Sequence, residues 1–261
     1  MTLPSRGRLL AEVLIVLGLS LGMSALYSIV TLINRATYET PIAQQTATIV
    51  PSRDSRPIFD LLYQLLGIAS DLVPVVLVCF LLWSATAPHL GRLGIDAKHP
   101  VRDALLGLGL ALPIGIAGLG IFLAGRALGI GVGISASNLT EQWWTIPVLL
   151  LVAARAALQE EIIMIGYLFA RLGDLGVGRW GTILISAAIR GTYHLYQGYG
   201  AFFANFAMGV VFGWLYTRGT ERRVIPFVVT HFAIDAVVFV GAPAAAAAWP
   251  ELFAPTPAAS A

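Results

Sequence analysis

Charge is scarce in this chain. Of 261 residues only 11% are Asp, Glu, Lys or Arg, against 57% hydrophobic residues. An ordinary soluble domain carries roughly 25% charged residues, so this composition excludes a soluble globular enzyme. Net charge is +2, which excludes a basic field for gripping nucleic acid. Disorder is excluded as well, because it requires low hydrophobicity and high net charge. Cysteine is limited to Cys79, which rules out a disulfide framework and a thiolate zinc cluster. Lysine is limited to Lys98, beside fifteen arginines. Arg, Ala and Gly have GC-rich codons, so a GC-rich bacterial source is expected. What remains is an integral membrane protein.

Long hydrophobic runs are abundant. A bilayer core of about 30 Å needs about 20 apolar helical residues. Seven stretches meet or approach that length: Leu9–Ile33, Ile58–Trp83, Ala104–Ala124, Ile146–Phe169, Trp180–Tyr196, Gly200–Tyr216 and Val224–Val240. The first is too long for the apolar part of a signal peptide and reads as a retained anchor. The fold class expected is an all-α polytopic bundle of about seven to eight helices. Residues 1–241 form one membrane domain, and residues 242–261 form an Ala/Pro-rich tail that holds a partial helix or is disordered.

Loop arginines set the orientation. Arg6, Arg8, Arg92, Lys98, Arg102, Arg171, Arg179, Arg218, Arg222 and Arg223 fall on one side, and Arg35, Arg53, Arg56 and Arg126 on the other. The ten-to-four bias puts the N-terminus in the cytoplasm of a multi-pass bacterial inner-membrane protein. It puts the polar, Thr-rich segment 34–57 outside. No whole-chain repeat is visible, so an inverted-repeat transporter gains no support.

Away from the span ends, at membrane depth, stand eight ionisable groups: Asp71, Arg155, Glu160, Glu161, Arg190, His194, His231 and Asp235. Such groups are costly at membrane depth and mark functional or paired sites. His231 and Asp235 stand four apart and share a helix face, as do Arg190 and His194. Glu160 and Glu161 are adjacent and point about 100° apart. One can reach a reaction centre while the other braces a neighbouring helix. At about 1.5 Å per residue from the cytoplasmic ends, Glu160 lies roughly 13 Å deep, His231 roughly 10 Å and His194 roughly 21 Å.

These groups supply the parts for peptide hydrolysis. Desolvation makes a carboxylate a stronger base. Beside a histidine it can polarise a water, while a second histidine with a short polar side chain can donate to a developing oxyanion.

Glu160-Glu161 with Gly166, Arg190-Gly-Thr-Tyr-His194 and His231-Phe-Ala-Ile-Asp235 resemble, in order and spacing, the three motifs of the CPBP or Abi family. That family joins the CAAX prenyl endopeptidases to bacteriocin-processing and immunity proteins. The resemblance covers about residues 145–241. It implies an intramembrane glutamate peptidase without a metal or other cofactor. Glu160 and His194 would activate water, His231 and Asp235 would form the oxyanion site, and Glu161 and Arg190 would support them. The implied partners are a peptide or membrane-protein substrate and the lipid bilayer, with no nucleic acid. Two positions depart from the pattern. The arginine expected four residues after the glutamate pair is Ile165, and the phenylalanine expected four before the histidine is Arg190. Arg190 is therefore expected to return the lost cation to Glu161 from another helix. Asp235 stands where the pattern takes Asn or Asp. As an ionised carboxylate it would repel an oxyanion, so it is expected to be protonated or to orient His231.

Other readings stay open on sequence alone. The polar groups can form an interhelical network without chemistry, as in an immunity or scaffold protein. They can hold zinc, or relay protons in a small transporter. Asp71 is expected to pair with Arg155 rather than complete the site. Gly209 and Gly213 suggest close helix packing, and Asn205 a hydrogen bond across the bundle. Tyr193, Tyr196, Gln197 and Tyr199 read as one interfacial belt, with Trp143 and Trp144 as the belt of the other face. The Arg92–Arg102 loop reads as a solvated connection.

Overall fold

Nine α-helical segments carry most of the described chain in the computed structural model, which describes residues 5–219 and 221–249. They are α1 (Arg6–Gly18), α2 (Leu21–Ala36), α3 (Pro57–Leu81), α4 (Pro100–Ala127), α5 (Thr145–Glu161), α6 (Leu168–Asp174), α7 (Arg179–Tyr193), α8 (Tyr199–Arg218) and α9 (Ile225–Ala248). A π-helical stretch, Ile162–Tyr167, joins α5 to α6 without a break, so the two read as one long helix. The class is an all-α membrane bundle, as hydropathy requires.

α3, α4 and α8 are each long and apolar enough to cross a bilayer. On α4, Leu105, Leu108, Leu112 and Ile116 are all exposed. Leucines on an outer helix face water at high cost and lipid at none, so these side chains mark the lipid boundary.

The first apolar run, expected as one span, is broken. α1 and α2 meet at 55° across Leu19–Ser20. Ser20 turns its hydroxyl onto the Val16 carbonyl at 2.6 Å, taking up an acceptor of the α1 C-terminus. Gly22 allows the tight bend, since a Cβ there would stand 2.7 Å from the Leu17 carbonyl oxygen. Small and polar residues clustered at a helix break are its usual cause.

Two short strands were not anticipated from hydropathy. β1 (Thr46–Val50) and β2 (Gly133–Ser137) pair in parallel, with Thr46 opposite Gly133 and Val50 opposite Ser137. β1 lies within the polar segment 34–57, and β2 within the loop after α4. Its β-branched Thr-Ala-Thr-Ile-Val sequence suits a strand, but five residues are too few for a hydropathy signal. At the other terminus, α9 runs past Gly241 to Ala248, into the Ala/Pro-rich tail. Residues 250–261 of that tail lie outside the described residues.

The contacts of the loop cations divide between two ends of the bundle. At one end Arg6 donates to the Leu175 carbonyl, Arg92 pairs with Asp174, and Arg223 pairs with Asp96 and Asp103. At the other, Arg35 reaches Gln45 and the Thr46 carbonyl beside the small sheet. The Arg92–Arg102 loop is not merely solvated. Leu93 is fully buried against Gly166, where a Cβ would lie 3.1 Å from the Leu93 carbonyl oxygen.

Candidate active site

Helices α5, α7 and α9 bring the polar motifs together. α5 ends on Glu160 and Glu161, and the π-helical stretch begins at the next residue. A π insertion shifts the register by one residue, and such insertions concentrate at functional sites. All six residues from Ile162 to Tyr167 are buried, so packing on every side holds the glutamate pair in place. α7 carries Arg190 and Tyr193, and His194 caps its C-terminus. Despite the deeper position counted from sequence, His194 comes within 3.8 Å of Glu160 from the point where α7 gives way to a short 3-10 turn, Leu195–Gln197. Gly198 then takes φ of +91°, a conformation that favours glycine. α9 carries His231 and Asp235, packed against α5 and α4.

Glu161 is the hub. Its Oε1 accepts from Arg190 Nη2 at 2.6 Å and faces His231 Nδ1 at 2.7 Å. The side chains of Glu161 and Arg190 are both fully buried. An unpaired carboxylate here would be strongly destabilising. Arg190 is therefore the cation that Ile165 does not supply. Ile165 instead packs in an apolar cluster with Phe169, Ile183 and Phe212. The face of Phe212 also lies 5.5 Å from the Arg190 guanidinium.

Glu160 is the more accessible carboxylate. Its Oε2 accepts from the Tyr193 hydroxyl at 2.7 Å and lies 3.6 Å from Arg190 Nη1. His194 Nε2 stands 3.8 Å from the same oxygen. That is too far for a direct hydrogen bond and close enough for one water to touch both. Neither ring nitrogen of His194 has a hydrogen-bond partner among the described residues. His231 turns its second nitrogen, Nε2, towards Asp235 Oδ2 at 3.4 Å, a loose contact beside the firm one to Glu161.

Three donor atoms, one each from Glu160, Glu161 and His231, lie within 4.8 Å of one another, a spacing that would suit a metal ion. Arg190 already brings a positive charge to both carboxylates. A divalent ion would have to displace or repel that guanidinium, so the set fits a metal poorly.

Several side chains stand elsewhere than the sequence suggests. Tyr193 is no interfacial residue: it is 5% exposed, bonds Glu160, and has its carbonyl fixed by Ser28 of α2 at 2.7 Å. Its one legible signal was its place three residues after Arg190, on the same helix face. Trp144 is buried, 4% exposed, in a core cluster with Val148 and Phe239, whereas Trp143 is 84% exposed. Asn205 bonds the Ala201 carbonyl of its own helix rather than crossing the bundle. Asp71 pairs with Arg155 at 3.5 Å, and Arg155 also reaches Gln159, the neighbour of Glu160. Gly209 and Gly213 do pack closely, against Ala187 and against Phe169 with Ile183. A network of Glu12, Tyr167 and Arg171, which ties α1 to α6, gave no sequence signal.

Residues 142–237 match a family model described as Rce1-like, type II CAAX prenyl endopeptidase Rce1-like. No curated protein and no solved structure matches the chain. The matched segment spans α5, the π-helical stretch, α6, α7, α8 and most of α9, and so holds Glu160, Glu161, Arg190, His194, His231 and Asp235. Over residues 142–237 this membrane protein is thus similar to the Rce1-like, type II CAAX prenyl endopeptidase family.

Proposed function

We propose that the protein is an intramembrane endopeptidase that hydrolyses a peptide bond with a water held between Glu160 and His194, without a metal. The observation that carries this reading is the Glu160–His194 pair, 3.8 Å apart, with both His194 ring nitrogens uncommitted among the described residues. A water touching both groups loses a proton to the carboxylate as it attacks the carbonyl carbon. Tyr193 and Arg190 hold the carboxylate oxygen in place, which preorganises the base.

His231 serves the oxyanion. Its Nδ1–H donates to Glu161 at 2.7 Å, and with His231 protonated on both nitrogens Nε2–H is the donor offered to the oxyanion. Asp235, 3.4 Å from Nε2, orients the ring. The proton gained by Glu160 passes to the leaving amine, so the carboxylate is regenerated. The substrate is a peptide or membrane-protein segment reached from the cytoplasmic half of a bacterial inner membrane. The chain's N-terminus lies on that same side. The ten-to-four division of loop cations supports that orientation.

The test uses purified wild type and Glu160→Gln with a broad set of membrane peptides, read by mass spectrometry. Wild type should cleave and the variant should not, with both equally folded. Equal products from the two, or none from either, would overturn the reading and favour a scaffold or immunity role. Metal analysis of the active protein should give far less than one zinc per chain.

A further inference from the structure

We propose that the basic end of the bundle carries a binding site for the phosphate of an anionic lipid headgroup, separate from the Glu160 centre. A cavity of about 330 Å³ opens there, within the size range of small-molecule sites. Its walls include Arg92, Arg222, Asp174, Phe169, Tyr216 and Gly173, none of which belongs to the hydrolytic site.

Charge selects an anion. Asp174 is committed to Arg92 at 2.7 Å and to Arg171 at 3.1 Å, so its charge is neutralised within the wall. Arg222 is exposed, and its guanidinium has no ion pair or hydrogen bond to any described residue. One uncommitted guanidinium facing a cavity is a planar, permanently charged donor set, which suits phosphate oxygens.

Position selects a lipid. Phe169 and Tyr216 meet edge to face at 5.5 Å beneath the cavity, both buried. On the same end Arg218 stacks on Trp214 at 4.6 Å and Arg179 lies 5.8 Å from Trp180. Paired aromatic and cationic side chains of this kind mark the headgroup level of a membrane. The same end gathers most loop cations, and the leaflet such an end faces is the anionic one. A headgroup phosphate would enter at Arg222, with its glycerol over the cavity floor.

The experiment compares wild type with two variants and a control by native mass spectrometry of purified protein. The lipids are phosphatidylglycerol and phosphatidylcholine, with inorganic phosphate as competitor. Arg222→Gln removes the free cation. Gly173→Leu fills the cavity, and nothing lies within 4 Å of the added Cβ, so the helix accepts it. Arg218→Gln removes an equal charge from the same end outside the cavity. Wild type and Arg218→Gln should retain phosphatidylglycerol about tenfold better than either variant, one charge-assisted contact being worth about that factor. Phosphatidylcholine should be retained weakly by all four. Equal loss from Arg218→Gln would show diffuse surface attraction and overturn the site. Unchanged retention in both variants would also overturn it. Binding of inorganic phosphate with no retained lipid would assign the cavity to a soluble phosphate compound and overturn the lipid source.

Discussion

Arg190 on α7 and Glu161 on α5 meet at 2.6 Å with both side chains wholly removed from solvent. The sequence lacks an arginine at Ile165, one turn after the glutamate pair, and the second helix provides the cation instead. Breaking a buried pair leaves an uncompensated charge, at a cost of about 3–5 kcal/mol. Arg190→Phe should therefore lower thermal stability in detergent by about that amount. Adding Ile165→Arg should recover at least about 1 kcal/mol through coupling of the two positions. A double variant no more stable than Arg190→Phe would show that the two positions do not exchange roles.

Tyr193 gives a sharper test of the proposed role of Glu160 as the base. Its hydroxyl holds Glu160 Oε2 at 2.7 Å, and hydrogen bonds to charged groups contribute about 1.5–3 kcal/mol. Tyr193→Phe should reduce kcat about tenfold or more and leave KM little changed, since the hydroxyl orients the base rather than the substrate. A rise in KM with constant kcat would place Tyr193 in substrate binding.

Gly209 couples helix packing to the site. A Cβ at this position would lie 2.9 Å from the Ala187 Cα and 3.3 Å from Arg190 Cδ. Gly209→Val should cost about 1–3 kcal/mol by overpacking and should lower activity by moving Arg190. Gly109 has nothing within 4 Å of an added Cβ, so Gly109→Ala should raise stability by about 0.5–1 kcal/mol. Thermal melts of both variants check the contrast.

At the basic end, the Lys98 backbone amide and the Arg223 guanidinium together hold the Asp96 carboxyl below the usual carboxylate range. A depressed folded-state value stabilises the fold above the unfolded value, about 3.9, and that contribution is lost as pH falls through the folded value. Asp96→Asn should therefore be less stable than wild type at pH 7, and the gap should close as pH falls below about 4. A gap that persists to pH 3 would mean that the carboxylate charge contributes nothing there.

The sequence determined the class and the parts. Scarcity of charge forces a membrane protein, because 57% hydrophobic residues cannot be covered by so few charged ones. Period and spacing put Arg190 with His194 and His231 with Asp235 on shared faces, since four residues make one helical turn. Local rules could not see events set by packing between distant segments. The break at Ser20, the π-helical stretch after Glu161, the β1–β2 pairing and the burial of Tyr193 and Trp144 are all of that kind. Only the tertiary structure decided which glutamate meets which cation. Adjacent side chains on a helix point about 100° apart, and the partner each finds depends on how α7 and α9 lie against α5. That packing gives Glu161 to Arg190 and His231, and leaves Glu160 facing Tyr193 and His194.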